Sequence, residues 1–591
     1  MDTWNNLSTM FFEQADRLGD KPFLWEKQNG VYEAVSWNEA AQRACAIANG
    51  LLAHGIKPGD RVVLVSENRP EWLITEIAVL SIGAILVPAY TTNTVDDHAH
   101  ILMDSGAKAA LVSTNRLAVP LLAAARKSPA LAFICHMEPI EEAHDHAIPL
   151  HTLMNDGRAR GNDIRALAAT WTRDSTACII YTSGTGGLPK GVILHHGAIL
   201  HNCEAATDAL MEMGLDDEVF LSFLPLSHSY EHMAGQFFPI FVGAQIYYAE
   251  GIESLGANMA EAHPTIMTAV PRLYETMHQR ITRGVQKQGG MKEKLFNTAY
   301  TLGAKRYHDP KSLSVTERIM DRVVDKLVRD KVRSRFGGRL KALVSGGAPL
   351  NPEIGLFFTA LGLRILQGYG QTESAPVITV NRPSGPKMHT VGPIVKNTEV
   401  KIASDGEILC RGELVMQGYW NNEQATAEAI KDGWLHTGDI GEFDADGHLL
   451  ITDRKKDIIV NSGGDNIAPQ RIEGILCLAP AIAQAMVYGD KRPNLVALIV
   501  PDETWFQDWT KESGKTGSLS DLKDDPNLRA AMSETLDGIN KPLSNIEKVR
   551  RYIIADEPFT IDNGEMTPTM KVRRHVLKDR YGERLEGLYR S

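Results

Sequence analysis

Ten consecutive residues, Thr182 to Gly191, read T-S-G-T-G-G-L-P-K-G and gather three hydroxyls, four glycines and one lysine. Glycine lets backbone N–H groups come close to an anion, hydroxyls add donors, and Lys190 adds positive charge. Those are the parts of a polyphosphate cradle. The spacing is not that of a Walker A loop, because no Gly-Lys-Ser/Thr closes it and no helix pattern opens at the lysine. An ordinary Gly/Ser turn between strands uses the same residue types. The apolar runs Ala177–Tyr181 before it and Val192–Leu194 after it predict two buried strands that fix its ends.

Other stretches carry chemistry of their own. Residues 223–232 read F-L-P-L-S-H-S-Y-E-H, two histidines and a glutamate on one loop. A metal site is one reading, yet no third nitrogen or sulfur ligand follows nearby. After a predicted strand at Lys341–Val344 comes S-G-G-A-P-L (345–350), where two glycines at a strand end let a flat ring lie on the backbone. After Ile365-Leu366, Q-G-Y-G-Q-T-E (367–373) places an aromatic, a hydroxyl and a carboxylate within five residues. Asp439 ends G-W-L-H-T-G-D, ahead of a predicted hairpin turning at Asp446-Gly447. A carboxylate there is either structural or an acceptor matched to a pair of hydroxyls. The charge cluster D-R-K-K-D (453–457) separates two apolar strand patterns and marks a domain boundary. Near the end, N-G-E-M-T-P-T-M-K (563–571) is a loop presenting Lys571.

In this order the stretches resemble the motifs of the adenylate-forming (AMP-binding) superfamily, which spans acyl-CoA synthetases, luciferases and nonribosomal adenylation domains. The S-H-S-Y-E segment, the helical insertion before Phe336-Gly337-Gly338 and the G-G-D-N-I run at 463–467 are most similar to long-chain fatty acyl-CoA synthetases. The resemblance covers almost the whole chain. It implies an α/β fold with a large N-terminal domain of mostly parallel sheets covered by helices (1–455) and a small mobile C-terminal α+β domain (456–591). It implies that Thr182, Ser183, Gly184, Thr185, Gly186 and Lys190 hold the triphosphate. Gly346, Gly347, Ala348, Gly368, Tyr369 and Gly370 would form the adenine site, with Tyr369 stacking on the base. Thr372 would contact the α-phosphate, Glu373 would hold Mg2+, and Asp439 with Arg454 would take the ribose. His228 would line the acyl site, Lys456 would be the hinge, and Lys571 the catalytic lysine. The implied activity is ATP-dependent ligation of a medium- to long-chain fatty acid to coenzyme A through acyl-AMP. The alternatives are an acyl-AMP ligase that loads a carrier protein, or a CoA ligase for another carboxylic acid. The chain departs from the family at Gly186 (usually Thr or Ser), at His232 (a gating tryptophan in some members) and at Met570 (usually Gly).

A chain of 591 residues is long enough for several cores. Helix and strand patterns alternate from about Leu7 to Pro149: helical from Trp37 to His54, strand-like at Arg61–Val65, Ile85–Val87 and Ala109–Val112. That rhythm implies a mostly parallel sheet. A net charge of −11 argues against nucleic acid as a main partner. The six cysteines are scattered without C-x-x-C spacing, as suits buried thiols in a reducing cytosol. The N-terminus carries no signal-peptide pattern, and Ile77–Tyr90, the most apolar run, is too short to cross a bilayer. A soluble cytoplasmic protein is expected, as monomer or homodimer. Residues 275–335 hold 15 Lys/Arg against 7 Asp/Glu in a helical pattern. This segment is either a solvated helical face or a basic surface for anionic lipid, at the inner face of a membrane, or for the phosphates of CoA.

Overall fold

The computed structural model describes residues 4–590 apart from 142–145, 183–187, 456, 568 and 569. Two eight-stranded sheets dominate the larger, N-terminal part. One runs, edge to edge, through Gly418–Tyr419, Lys190–His195, Thr176–Thr182, Ile85–Ala89, Arg61–Val65, Ala109–Val112, Phe133–His136 and Ala147–Pro149. The other runs through Thr379–Val380, Ile365–Tyr369, Ala342–Ser345, Ile266–Ala269, Val219–Ser222, Gln245–Tyr248, Pro22–Gln28 and Val31–Ser36. Their middle strands are parallel, as in Arg61–Val65 beside Ile85–Ala89 and Ala342–Ser345 beside Ile365–Tyr369.

The central strands are buried on both faces, which is why they read as short apolar runs rather than alternating ones. In Arg61–Val65, Val62 and Leu64 enter one core while Val63 and Val65 enter another. The first core lies between the sheets and holds the helices Leu7–Leu18, Trp37–Ala53, Pro70–Ser81 and His196–Leu210. Outer helices cover each sheet: Val95–Ser105 and Asn115–Ala125 on one, Pro271–Gln288 and Pro352–Ala360 on the other. The result is a layered α/β stack, and the segment after Ile77 is a helix followed by a strand as its pattern predicts.

A smaller antiparallel sheet follows, in which Trp434–Phe443 pairs with Leu449–Arg454. Beyond it a three-stranded sheet, Ile482–Tyr488, Leu495–Pro501 and Val549–Ile554, packs with helices Pro469–Leu476, Pro526–Asn540 and Arg574–Gly587. Its two cores draw on residues from Ile459 onward. This smaller unit rests on the larger through polar contacts. Arg272 donates to the Ala483 carbonyl (2.9 Å), Arg283 to Asp502 (2.5 Å), and Asn351 to the Gly474 carbonyl (3.3 Å).

The basic segment forms helices at Gly290–His308, Val315–Val324 and Asp330–Arg335, the last two joined by a π-helical turn at Asp325–Arg329. Arg329 is wholly buried beneath it, paired with Asp321 (2.7 Å) and donating to the carbonyls of Ala299 and Ala360. Arg329→Ala strands those acceptors in the interior, so we expect a loss of about 3–5 kcal/mol, read as a lower urea midpoint for the larger unit.

Candidate active site

The ends of the phosphate-loop candidate are held by a β-pair. Thr182 closes one strand, Lys190 opens the next, and the two residues face each other across the ladder. Ser183, Gly184, Thr185 and Gly186 lie outside the described residues, as does Lys456. The Lys190 ammonium stands 5.1 Å from the centre of the Tyr419 ring, and the Tyr419 hydroxyl donates to Glu373 Oε1 (2.8 Å). Tyr419 thus couples the expected metal carboxylate to the expected phosphate lysine. Nothing in the sequence had singled it out, because its strand is two residues long and shows no period; the one signal is the aromatic pair Tyr419-Trp420 before an Asn-Asn turn.

Thr372 and Glu373 begin a short turn of helix just after the strand Ile365–Tyr369. The Thr372 hydroxyl is within 3.0 Å of the Ser229 hydroxyl, so the loop carrying His228 meets the loop carrying Glu373. Gly370 is where the chain must be bare: a Cβ there would lie 1.7 Å from the Pro376 carbonyl oxygen. Tyr369 donates through its hydroxyl to Asp439 Oδ2 (2.7 Å), and Arg454 Nε donates to Asp439 Oδ1 (3.1 Å). Asp439 and Arg454 are direct cross-strand partners in their hairpin, which sets their separation. A carboxylate has about four acceptor positions, so two of these contacts leave capacity for a pair of hydroxyls.

Gly346 and Gly347 differ in what they accommodate. The flat ring lying against Gly346 is that of Tyr230, whose Cζ would be 2.9 Å from an added Cβ and whose hydroxyl donates to the Val344 carbonyl (2.8 Å). Gly347 has φ +81°, a left-handed conformation that lets the strand end turn away, with Ala348 exposed after it. Gly368 sits on the ladder with Val380, close to the Thr379 carbonyl.

The two histidines of the 223–232 loop part company. His232 is buried with its Nε2 2.6 Å from Glu76 Oε1, and Glu231 accepts from the Thr268 hydroxyl, so each has a partner away from the other. Burial pushes the Glu231 carboxyl up to about 7. Its carboxylate fills the space beside Gly235, and Met233, Phe237 and Phe238 belong to the core between the sheets. His228 accepts from the Tyr230 N–H through Nδ1 (3.2 Å), which places its proton on Nε2. Burial, with the nearby positive charge of Lys571, lowers its pKa to about 3, so the ring is neutral.

Lys571 comes from the smaller unit and reaches into the cleft between the two. Its side chain is exposed to solvent, yet the groups gathered around it lower its pKa to about 8. Desolvation is the main cause, Arg454 adds to it, and Asp439 and Glu373 act the other way. The structure therefore brings Lys571, His228, Glu373, Asp439 and Arg454 around one cleft, with Thr372, Tyr369 and Lys190 linked to them by the contacts above. Such a site has cationic groups for a polyphosphate, acceptors for a sugar, and one lysine delivered from a separate unit. The lone Glu373 carboxylate suits a hard divalent cation that takes its other ligands from water and substrate phosphate.

Comparison with known proteins places the architecture. Residues 11–420 match the family model described as AMP-binding enzyme, and residues 456–591 match that described as AMP-binding enzyme C-terminal domain. The chain belongs to this family of AMP-binding, adenylate-forming enzymes. It is 35% identical to a long-chain-fatty-acid–CoA ligase, FadD15, of Mycobacterium bovis, over 99% of this chain and 97% of that protein. It is 32% identical to the peroxisomal long chain acyl-CoA synthetase 6 of Arabidopsis thaliana, over 95% of this chain and 82% of the plant protein. Among solved structures it superposes on the adenylation and carrier didomain of a carboxylic acid reductase from Segniliparus rugosus, solved with AMP. The TM-score is 0.79 at 22% identity, over 100% of this chain and 82% of that one. A fatty acyl CoA synthetase of Mycobacterium tuberculosis superposes with a TM-score of 0.62 at 21% identity, over 98% of both chains.

Gly370→Ala forces its loop off the Pro376 carbonyl and shifts Tyr369 and Thr372 together. We expect AMP affinity by calorimetry to fall by about tenfold or more, from a packing strain of about 1–3 kcal/mol. Gly385→Ala, where an added Cβ meets nothing within 4 Å, is the matched control and should bind AMP normally.

Proposed function

We propose that this protein is an ATP-dependent, AMP-forming acid–thiol ligase that activates a medium- to long-chain fatty acid as acyl-AMP and then transfers the acyl group to coenzyme A. The observation that carries the reading is the convergence of Lys571, from the smaller unit, with Glu373, Asp439 and Arg454 of the larger. The full-length similarity to long-chain acyl-CoA ligases supports the choice of fatty acid and CoA.

In the first half-reaction the fatty carboxylate attacks the α-phosphorus of ATP, the bond to the β-phosphate oxygen breaks, and pyrophosphate leaves. Two anions must meet, so charge neutralisation and in-line positioning do most of the work. The Lys571 ammonium lies between carboxylate and α-phosphate, where losing water has made it a weaker base and a stronger electrostatic partner. Neutral His228 presents Nε2–H to the acyl carboxylate. Thr372 donates to the α-phosphate, held in place by Ser229. Thr182, Ser183, Thr185 and Lys190 hold the departing pyrophosphate, while Asp439 and Arg454 fix the ribose and Tyr369 the adenine. Mg2+ bound through Glu373 would supply further neutralisation of the triphosphate, with Tyr419 orienting the carboxylate.

The second half-reaction needs a thiol where Lys571 stands. We assign 1–455 and 456–591 as two units that turn about Lys456, withdrawing Lys571 and admitting CoA. The polar contacts of Arg272, Arg283 and Asn351 to the smaller unit suit an interface that must break and re-form.

Lys571→Ala should lower carboxylate-dependent pyrophosphate exchange by about 10³-fold or more, while thioester formation from supplied acyl-AMP survives. Equal loss in both half-reactions would remove Lys571 from this role. The same charge sets a pH limb. The ammonium is present below its pKa of about 8 and is lost as pH rises through it, so kcat/KM for exchange should decline above about pH 8. Lys571→Arg, whose charge persists, should move that decline upward.

Substrate class is read from kcat/KM against saturated acids from acetate to stearate, with CoA as sole acceptor and product identified by mass. Each methylene buried adds up to about 0.8 kcal/mol, or about fourfold, until the acyl site is full. A profile that is flat or peaks at acetate rejects the fatty acid; acyl-AMP that never reaches CoA points to a carrier protein instead.

A further inference from the structure

The helical segment from Val315 to Arg335 sorts its charges by direction. Its inner face packs on the helix Gly290–His308, burying Val324 with Ala299 and Leu302. The acids are engaged by partners within the fold. Glu317 pairs with Lys305 (2.8 Å), Asp321 with Arg306 and Arg329 (2.7 Å each), and Asp325 with Arg333 (2.9 Å). Asp330 is also paired with Arg333.

What remains on the outer face is two neighbouring rows at i, i+4 and i+8, whose last members, Lys326 and Leu327, lie in the π-helical turn. Ile319, Val323 and Leu327 are 59%, 43% and 47% exposed and continue from the exposed Val315, forming an apolar ridge along the helix and into the turn that follows it. Arg318, Arg322 and Lys326, all exposed, run beside it and pair with no carboxylate among the described residues. Core packing accounts for neither row, and three contiguous large apolar side chains on a helix crest are costly to leave in water.

We propose that this face is a docking surface for an anionic lipid bilayer, with the basic row on the headgroup phosphates and the ridge entering the acyl boundary. The charges select the occupant. Two copies of the chain meeting through this face would set like rows against each other, whereas an anionic surface complements it. The protein as a whole carries −11, so an anionic bilayer repels its other orientations and admits this one. A convex crest also offers no groove to seat a partner helix. The inference is independent of the catalytic proposal, because it is read from binding alone.

The test is flotation of the full-length protein with vesicles of phosphatidylcholine alone or mixed with phosphatidylglycerol. The wild type should float with the anionic vesicles only, less so as salt rises. Neutralising the row (Arg318→Gln, Arg322→Gln, Lys326→Gln) should weaken partitioning by about 100-fold, at the usual contribution of each cation near a charged membrane. Replacing the ridge (Ile319→Gln, Val323→Gln, Leu327→Gln) should weaken it by tenfold or more even at low salt. Activity on a short water-soluble acid should be unchanged in both variants, which reports that they are folded. Wild type that fails to float at low salt, or two variants that float like wild type, overturns the proposal. So does a wild-type dimer in sedimentation that the ridge variant alone dissociates, which would make the crest a contact between chains. Retention on polyglutamate resin through the same residues without flotation overturns it in favour of an acidic protein partner.

Discussion

The ammonium of Lys571 is held where neither part of the protein alone would hold it. Its backbone belongs to the smaller unit, while Arg454, Asp439 and Glu373, which act on its charge, belong to the larger. The side chain is exposed, but partial desolvation by its surroundings, with the Arg454 charge, lowers its pKa to about 8. A charge that is partly desolvated and near another cation is unfavourable in the empty cleft and becomes favourable when an anion arrives. The described contacts that place the smaller unit are the polar ones of Arg272, Arg283 and Asn351, with Leu478 packed on the larger unit's core.

The rest of the cleft is arranged before any ligand enters. Asp439 and Arg454 are fixed by a β-ladder, Tyr369 is tied to Asp439 by its hydroxyl, and Glu373 is held by Tyr419. Groups already in position lose little freedom on binding, so more of the interaction energy is available to the reacting atoms. His228 is held neutral by burial and oriented by the Tyr230 N–H, which keeps a donor beside Lys571 without adding a second positive charge. Glycine is required where backbone crowds backbone, as at Gly370, and where an aromatic ring lies flat, as at Gly346.

Charge is also organised on a larger scale. The chain is acidic overall, yet the segment 275–335 concentrates its lysines and arginines. Folding pairs the acids of its outer helices with neighbouring cations, which leaves Arg318, Arg322 and Lys326 exposed with no carboxylate partner among the described residues. Sequence counting gives an excess; only the paired geometry turns it into a one-sided face.

Much of this protein is local in origin and so was legible in its amino-acid order. Apolar runs of four to seven residues became buried strands at Arg61–Val65, Ala109–Val112 and Thr176–Thr182, because a strand buried on both faces needs no alternation. The helix from Trp37 stopped at Ala53, with Gly55 just beyond it, and the hairpin turned at Asp446-Gly447, since glycine accepts the positive φ each turn requires. The order of the motifs was likewise enough to point to the family. Contacts between residues far apart were not legible, because no local spacing encodes them. Tyr419 on Glu373, Ser229 on Thr372 and Tyr230 on Gly346 join segments 46, 143 and 116 positions apart or thereabouts. The loop histidines looked alike in sequence, yet packing sent His232 inward to Glu76 and left His228 facing Lys571. Sequence determined which residues the chain has for this chemistry. Tertiary structure decided which of them share one cleft, because charge proximity between distant residues exists only once their segments have packed.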